Sequence, residues 1–236
     1  MRFYGNQYCT YPPFKNGHYL EEFFFDYSME YDITRDKNGR LYIPALWTAM
    51  QIEGWFPEKK QELQQILDDF IKEHPNEAGY FTIVQHDDGV LFDLPPNTIV
   101  YGACTGDVKI PLIYQDHNKT LESQTKLSYQ EKPIFCSFVG TTTHPIRQLC
   151  YDVLHEKYPS KYEWTNNVDM NSQSLFIDTT RKSKFALAPR GYGRSSFRFF
   201  EIFQLGTIPI YVWDDVEWLP YMELLDYSKF CISIHK

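Results

Sequence analysis

The sequence predicts an α/β protein, with two parallel-sheet domains facing a cleft. Three observations carry that expectation. The second half alternates short apolar strands with loops and helices, which is the pattern of strands joined by helical crossovers. Its strands are continuously apolar rather than alternating, as strands covered on both faces must be. Finally, 43% of the residues are hydrophobic and 17% aromatic, enough to build a core and to exclude a disordered chain.

The elements follow in order. A helix is expected from about Glu58 to Glu73. Leu63, Ile66, Leu67, Phe70 and Ile71 recur there at three- and four-residue spacing, between Pro57 and Pro75. An apolar strand, Gly79 to Val84, runs into His86, Asp87, Asp88 and Gly89. Thr98 to Tyr101 and Val108 to Tyr114 read as further strands. Leu127 to Pro133 is polar, ends in proline and reads as the linker between domains 1–132 and 133–236. Strands are expected at Ile134 to Val139, Phe185 to Ala188, Ile208 to Trp213 and Lys229 to Ile234. Helices are expected at Pro145 to Lys157 and Ser196 to Gln204, the latter ended by Gly206. In such sheets ligands bind where the carboxyl ends of strands enter helices.

One such place stands out. After the strand ending at Pro189 comes a small basic loop of Arg190, Gly191, Gly193 and Arg194. Ser195 or Ser196 is placed to cap the next helix, and Arg198 sits in its first turn. Cations are unfavourable at a helix N-terminus, which already carries partial positive charge. Three arginines there make sense if they meet an anion. A diphosphate would find backbone N–H groups, a hydroxyl and guanidinium forks together, with glycines allowing close approach. Glu201, three residues after Arg198, lies on the same helix face and suits a pair of ribose hydroxyls. The bland alternative is an Arg198–Glu201 surface pair on an ordinary helix. The loop lacks the G-K-[ST] of a Walker motif.

The composition excludes other classes. A formal net charge of −8 is the wrong sign for a nucleic-acid protein. The five cysteines form no C-x-x-C pair, so zinc has no support, and buried reduced thiols in a cytoplasmic or otherwise soluble protein are expected. The sequon at Asn118 then has no compartment in which to matter. No segment reads as a signal peptide or a membrane span. Asp68 and Asp69 read as the solvent face of a helix. Asp214 and Asp215 follow a strand end, and a metal-binding reading of them is set aside.

The segment PRGYGRSSFRFFEIFQLGTIPIYV (189–212) resembles the signature of the exostosin family, glycosyltransferase family 47: P-R-G, then S-x-R-x-x-E, then G-x-I-P-V. Residues 79–89, 107–111, 134–147 and 217–220 resemble other pieces of that family in order, strongly after Pro133 and weakly before it. The resemblance implies two Rossmann-like domains of GT-B type and a UDP-sugar as donor substrate. It also implies inverting transfer to a glycan hydroxyl with no required metal or cofactor. Arg190, Gly191, Arg198 and Ser195 or Ser196 would hold the diphosphate, and Glu201 the ribose. Gly140, Thr141 and Thr142 would line the facing loop, together with Thr143. Xylose or galactose is the expected sugar.

Inverting transfer needs a base. Asp87 is favoured ahead of Asp88 and His86, with Asp107 and Glu22 behind; Asp88 and Gly89 also read as a plain turn. The chain lacks the family's anchor and stem, and it stops at Lys236 just after a strand, which suggests a trimmed or compact member. Compact relatives occur in large algal viruses, so a viral source is an expectation. Two rivals remain: a non-catalytic nucleotide- or glycan-binding partner domain, and a fucosyltransferase-like enzyme using a GDP-sugar.

Overall fold

A computed structural model describes residues 19–112, 119–142, 144–158, 162–165 and 172–236. The chain divides into two compact units, Met1–Gln115 and Asp116–Lys236. The division falls upstream of the boundary expected after residue 132. The polar stretch expected as a linker packs into the second unit instead. Its Tyr129–Glu131 is a single 3-10 turn. Lys132 is buried, and its Nζ donates to Arg181 O at 2.7 Å and Thr207 Oγ1 at 2.8 Å.

The first unit carries a parallel sheet of order β1-β2-β3-β4. Its strands are β1 (Leu41–Tyr42), β2 (Tyr80–Val84), β3 (Thr98–Gly102) and β4 (Val108–Lys109). Three helices accompany it: α1 (Leu20–Glu30), α2 (Trp47–Gln51) and α3 (Phe56–Glu73). α3 begins with Pro57 in its first turn, where the missing N–H costs nothing. Leu63 and Leu67, one turn apart, pack with Phe56, Trp47, Tyr80, Val84 and Phe92. Full burial of each leucine contributes about 1.5–3 kcal/mol. On a second cluster, Tyr42 and Phe81 stack beside Phe24 and Phe25 of α1.

The second unit is a five-stranded sheet of order β6-β5-β7-β8-β9, with every pairing parallel. Its strands are β5 (Ile134–Val139), β6 (Tyr162–Thr165), β7 (Ser183–Pro189), β8 (Ile208–Trp213) and β9 (Ile232–His235). The helices are α4 (Pro145–Lys157), α5 (Ser172–Arg181) and α6 (Phe197–Gln204). Alternate residues of the strands serve opposite faces. Cys136, Phe138, Leu187 and Val212 pack under Ile146 of α4, while Ala186, Ala188 and Tyr211 pack under Phe199 and Ile202 of α6. Each unit is therefore a Rossmann-like parallel α/β layer. Among the described residues, no helix is long and apolar enough to cross a membrane.

The chain runs from β5 outward to β6, then returns past β5 to β7. The strand order thus reverses direction between β5 and β7. The loops leaving those two strands lead to helices on opposite faces, and in open parallel sheets the place between such loops is the ligand-binding crevice.

Candidate functional site

The crevice is built from three strand ends. β5 ends in Gly140, Thr141 and Thr142. β7 delivers Arg190 through Arg194. β8 delivers Asp214 and Asp215. Thr143 and Asn118 lie outside the described residues. A Cβ on Gly140 would approach the Phe138 ring to 2.8 Å, so only glycine lets β5 end this tightly over its own core.

Arg147, in the first turn of α4, ties the two loops together. Its Nη1 donates to Thr141 O at 3.0 Å and its Nε to Arg190 O at 3.1 Å. The guanidinium also lies 5.8 Å from the Phe138 ring centroid. Gly191 makes room for it, since a Cβ there would sit 3.2 Å from Arg147 Nη2. In the 134–147 element Arg147 appeared only as a family landmark. The structure makes it the bridge across the crevice.

Arg190 is held more firmly than its sequence position suggests. Its Nη1 donates to Asp214 Oδ1 at 3.0 Å and Asp215 Oδ1 at 2.8 Å, and its Nη2 to Tyr192 O at 2.7 Å. Arg194 Nε donates to the other oxygen of Asp215 at 2.8 Å. Lys236 Nζ lies 3.4 Å from Asp214 Oδ2. Burial alone would raise the Asp215 carboxyl. The Arg194 hydrogen bond, the Val216 amide and the two arginine charges outweigh it and hold the group at about 2. The paired acids at the β8 end are therefore the counter-ions of the basic loop.

Arg198 begins the other wall. Its Cζ sits 3.5 Å from the Phe176 ring centroid of α5, and its Nη1 lies 3.3 Å from Glu201 Oε2. Glu201 is buried, which pushes its carboxyl up against the opposing pull of Arg198. Ser196 occupies the N-cap position of α6 in extended backbone, but its side chain does not cap the helix. Ser195 is buried beside it. The Arg198–Glu201 pair, the bland alternative from the sequence, does form, but stacked and half-enclosed rather than on the surface.

His144 was not singled out from the sequence. It is the N-cap of α4, where its Nδ1 accepts from Ile146 N at 3.3 Å. Burial, then the charge of Arg190, lower its pKa; Asp214 opposes them, and Arg147 and Lys236 add to the lowering. Its placement came only with the fold, because nothing in T-T-T-H-P reports what lies across the crevice.

Over this group, Arg147, Arg190, Arg194, Arg198 and Lys236 face Asp214, Asp215 and Glu201. An excess of cations at strand ends, beside the first turns of α4 and α6, suits a dianionic group such as a diphosphate.

The sequence-predicted base residues lie in the first unit. His86, Asp87, Asp88 and Gly89 form a turn after β2. Gly89 N donates to His86 O at 2.9 Å, and Gly89 adopts φ +77°. Asp88 N donates to His86 Nδ1, and Thr105 Oγ1 to Asp87 O. The side chains of Asp87 and Asp88 face solvent. Asp107 accepts from Val100 N at 2.8 Å and Glu22 from Tyr19 N at 2.8 Å, so both serve the backbone. An acid that sequence reasoning passed over, Glu21, is only 1% exposed. Its Oε1 accepts from Thr48 N and Oγ1, and burial raises its pKa. Enclosure that complete makes it an anchor between α1 and α2.

A parallel α/β unit with cations gathered at its switch point defines a class, the α/β proteins whose ligand sites lie at strand ends. The family comparison narrows it. A model of the Exostosin GT47 domain matches residues 100–236. The chain belongs to that family, whose members are glycosyltransferases acting between a sugar donor and a glycan acceptor.

Proposed function

We propose that this chain is an inverting, metal-independent glycosyltransferase of two-domain GT-B type, moving xylose or galactose from a UDP-sugar to a glycan hydroxyl. The observation that carries the reading is the cluster of Arg147, Arg190 and Arg194 where β5 and β7 end, with Arg198 in the first turn of α6, the helix that follows β7. In this reading Arg190, pre-set by its aspartates, Gly191 and Arg198 hold the diphosphate. Ser195 and Ser196 lend hydroxyls, and Glu201 takes the ribose. Gly140, Thr141 and Thr142 line the opposite wall. Cations aimed at a leaving diphosphate stabilise charge that grows in the transition state. The first unit would present the acceptor and the base, with Asp87 favoured over Asp88 and His86.

One observation favours a second reading, a nucleotide- or glycan-binding partner without turnover. Asp87 and Asp88 are exposed residues of a turn, rather than enclosed in a pocket of the first unit. A thermal-shift panel of UDP, GDP and UDP-sugars without added metal, with Arg198→Ala and Glu201→Ala beside the wild type, tests the donor site. Stabilisation by UDP compounds that both substitutions abolish supports it. Stabilisation by GDP alone would replace it with the fucosyltransferase-like alternative, and no shift with any nucleotide would sink it. UDP binding with no turnover of any UDP-sugar would leave the non-catalytic reading.

A further inference from the structure

Tyr192 lies at the centre of the basic loop, between Gly191 and Gly193, and is 72% exposed. Among the aromatic side chains described as exposed, none is more so. Its ring makes no hydrogen bond or ring contact among the described residues. The backbone beneath it is pinned on both sides. Arg190 N donates to Val212 O at 3.1 Å, and Arg190 Nη2 to the carbonyl of Tyr192 itself at 2.7 Å. Downstream, Arg194 Nε bonds Asp215 and Tyr211 Oη donates to Arg194 O at 3.1 Å. A large aromatic ring is thus presented to water from an anchored loop just after β7, beside Arg190 and Arg194.

Folding gains nothing from that arrangement, because the ring buries little area. A ligand gains a great deal. A flat aromatic face held on a fixed backbone stacks on the C–H face of a pyranose with little ordering left to do. A nucleobase ordinarily lies between two walls, whereas this ring has solvent around it. One open face suits a saccharide that remains partly in water.

We propose that Tyr192 is the acceptor platform: it stacks on a sugar ring of the glycan acceptor and so sets acceptor affinity and choice. The proposal rests on the donor reading of the same loop. The test compares wild type, Tyr192→Ala, Tyr192→Phe and Tyr192→Trp. A panel of neutral and uronate-containing oligosaccharides serves as acceptors at saturating UDP-sugar, with UDP and oligosaccharide binding measured by calorimetry. Exposure of the ring lets every variant fold. The expected result is a rise in acceptor KM of about three- to tenfold in Tyr192→Ala, retention in Phe and Trp, and unchanged UDP affinity. Unchanged acceptor KM in Tyr192→Ala overturns the proposal. Weakened UDP affinity overturns it too, since the ring would then serve the base. If the wild type binds no UDP, the donor reading fails, and oligosaccharide binding decides this one alone: loss in Tyr192→Ala supports the platform, and equal binding refutes it.

Discussion

Replacing Arg147 by alanine removes a side chain that bridges the loops after β5 and β7. It donates from Nε to Arg190 O at 3.1 Å and from Nη1 to Thr141 O at 3.0 Å. Hydrogen bonds from a charged donor contribute about 1.5–3 kcal/mol each when enclosed. The guanidinium is only half-buried, and water replaces part of each bond once it is gone, so the net loss is about 2 kcal/mol. Lysine at the same position reaches one carbonyl at a time, and about half the loss remains. For a unit of this size, alanine lowers the unfolding midpoint by about 8 °C. Calorimetry of wild type, Arg147→Ala and Arg147→Lys measures this, with amide exchange reporting on the loop at Thr141 and Arg190. Because Gly191 is the space that the guanidinium fills, Gly191→Ala in the wild type and in Arg147→Ala adds a second reading. Its cost shrinks once the arginine is absent, a non-additivity expected of neighbours. Midpoints equal across all three Arg147 forms would refute the bridge.

Two further predictions are narrower. Asp87→Asn leaves the fold and UDP affinity intact, the carboxylate being exposed, and lowers kcat by at least about a hundredfold if Asp87 is the base; retained turnover removes it from the mechanism and passes the question to Asp88 and His86. His144 has a folded pKa below its ordinary 6.5, so the unfolded chain binds the proton more readily. Its contribution is absent well above pH 6.5, and stability falls as pH drops through 6.5 toward the lower folded value. His144→Asn keeps a helix cap and flattens that part of the stability–pH curve; an unchanged slope in denaturant melts between pH 7 and 5 counts against the assignment.

Much of the second unit was legible in the sequence. β5, α4 and β8 begin and end where apolar runs, Pro145 and the Ile208–Trp213 block said they would, because these signals are local. Gly206, at φ +69°, ends α6 as expected. α1, α2, β1, β6 and α5 were not anticipated. β1 is two residues long. α1 carries a Phe-Phe-Phe run that breaks any clean spacing, and its fit depends on Tyr42, Phe81 and Tyr101 from distant strands. The segment at 127–133 reads as a linker by composition, yet Lys132 finds Arg181 and Thr207, so distant partners decided its place.

The sequence by itself determined that Arg190, Arg194, Arg198 and Glu201 share one strand–loop–helix turn, because short-range spacing is enough to gather them. The family signature lies in that turn as well. Only the tertiary structure decided their electrostatics. Asp214 and Asp215 are neutralising partners because β8 lies next to β7 in the sheet, His144 and Arg147 join the crevice because β5 lies on its other side, and Tyr192 is left outward, its ring without a ring contact among the described residues. Strand order is set by the burial of both sheet faces at once, a property of the whole layer that no window of residues contains.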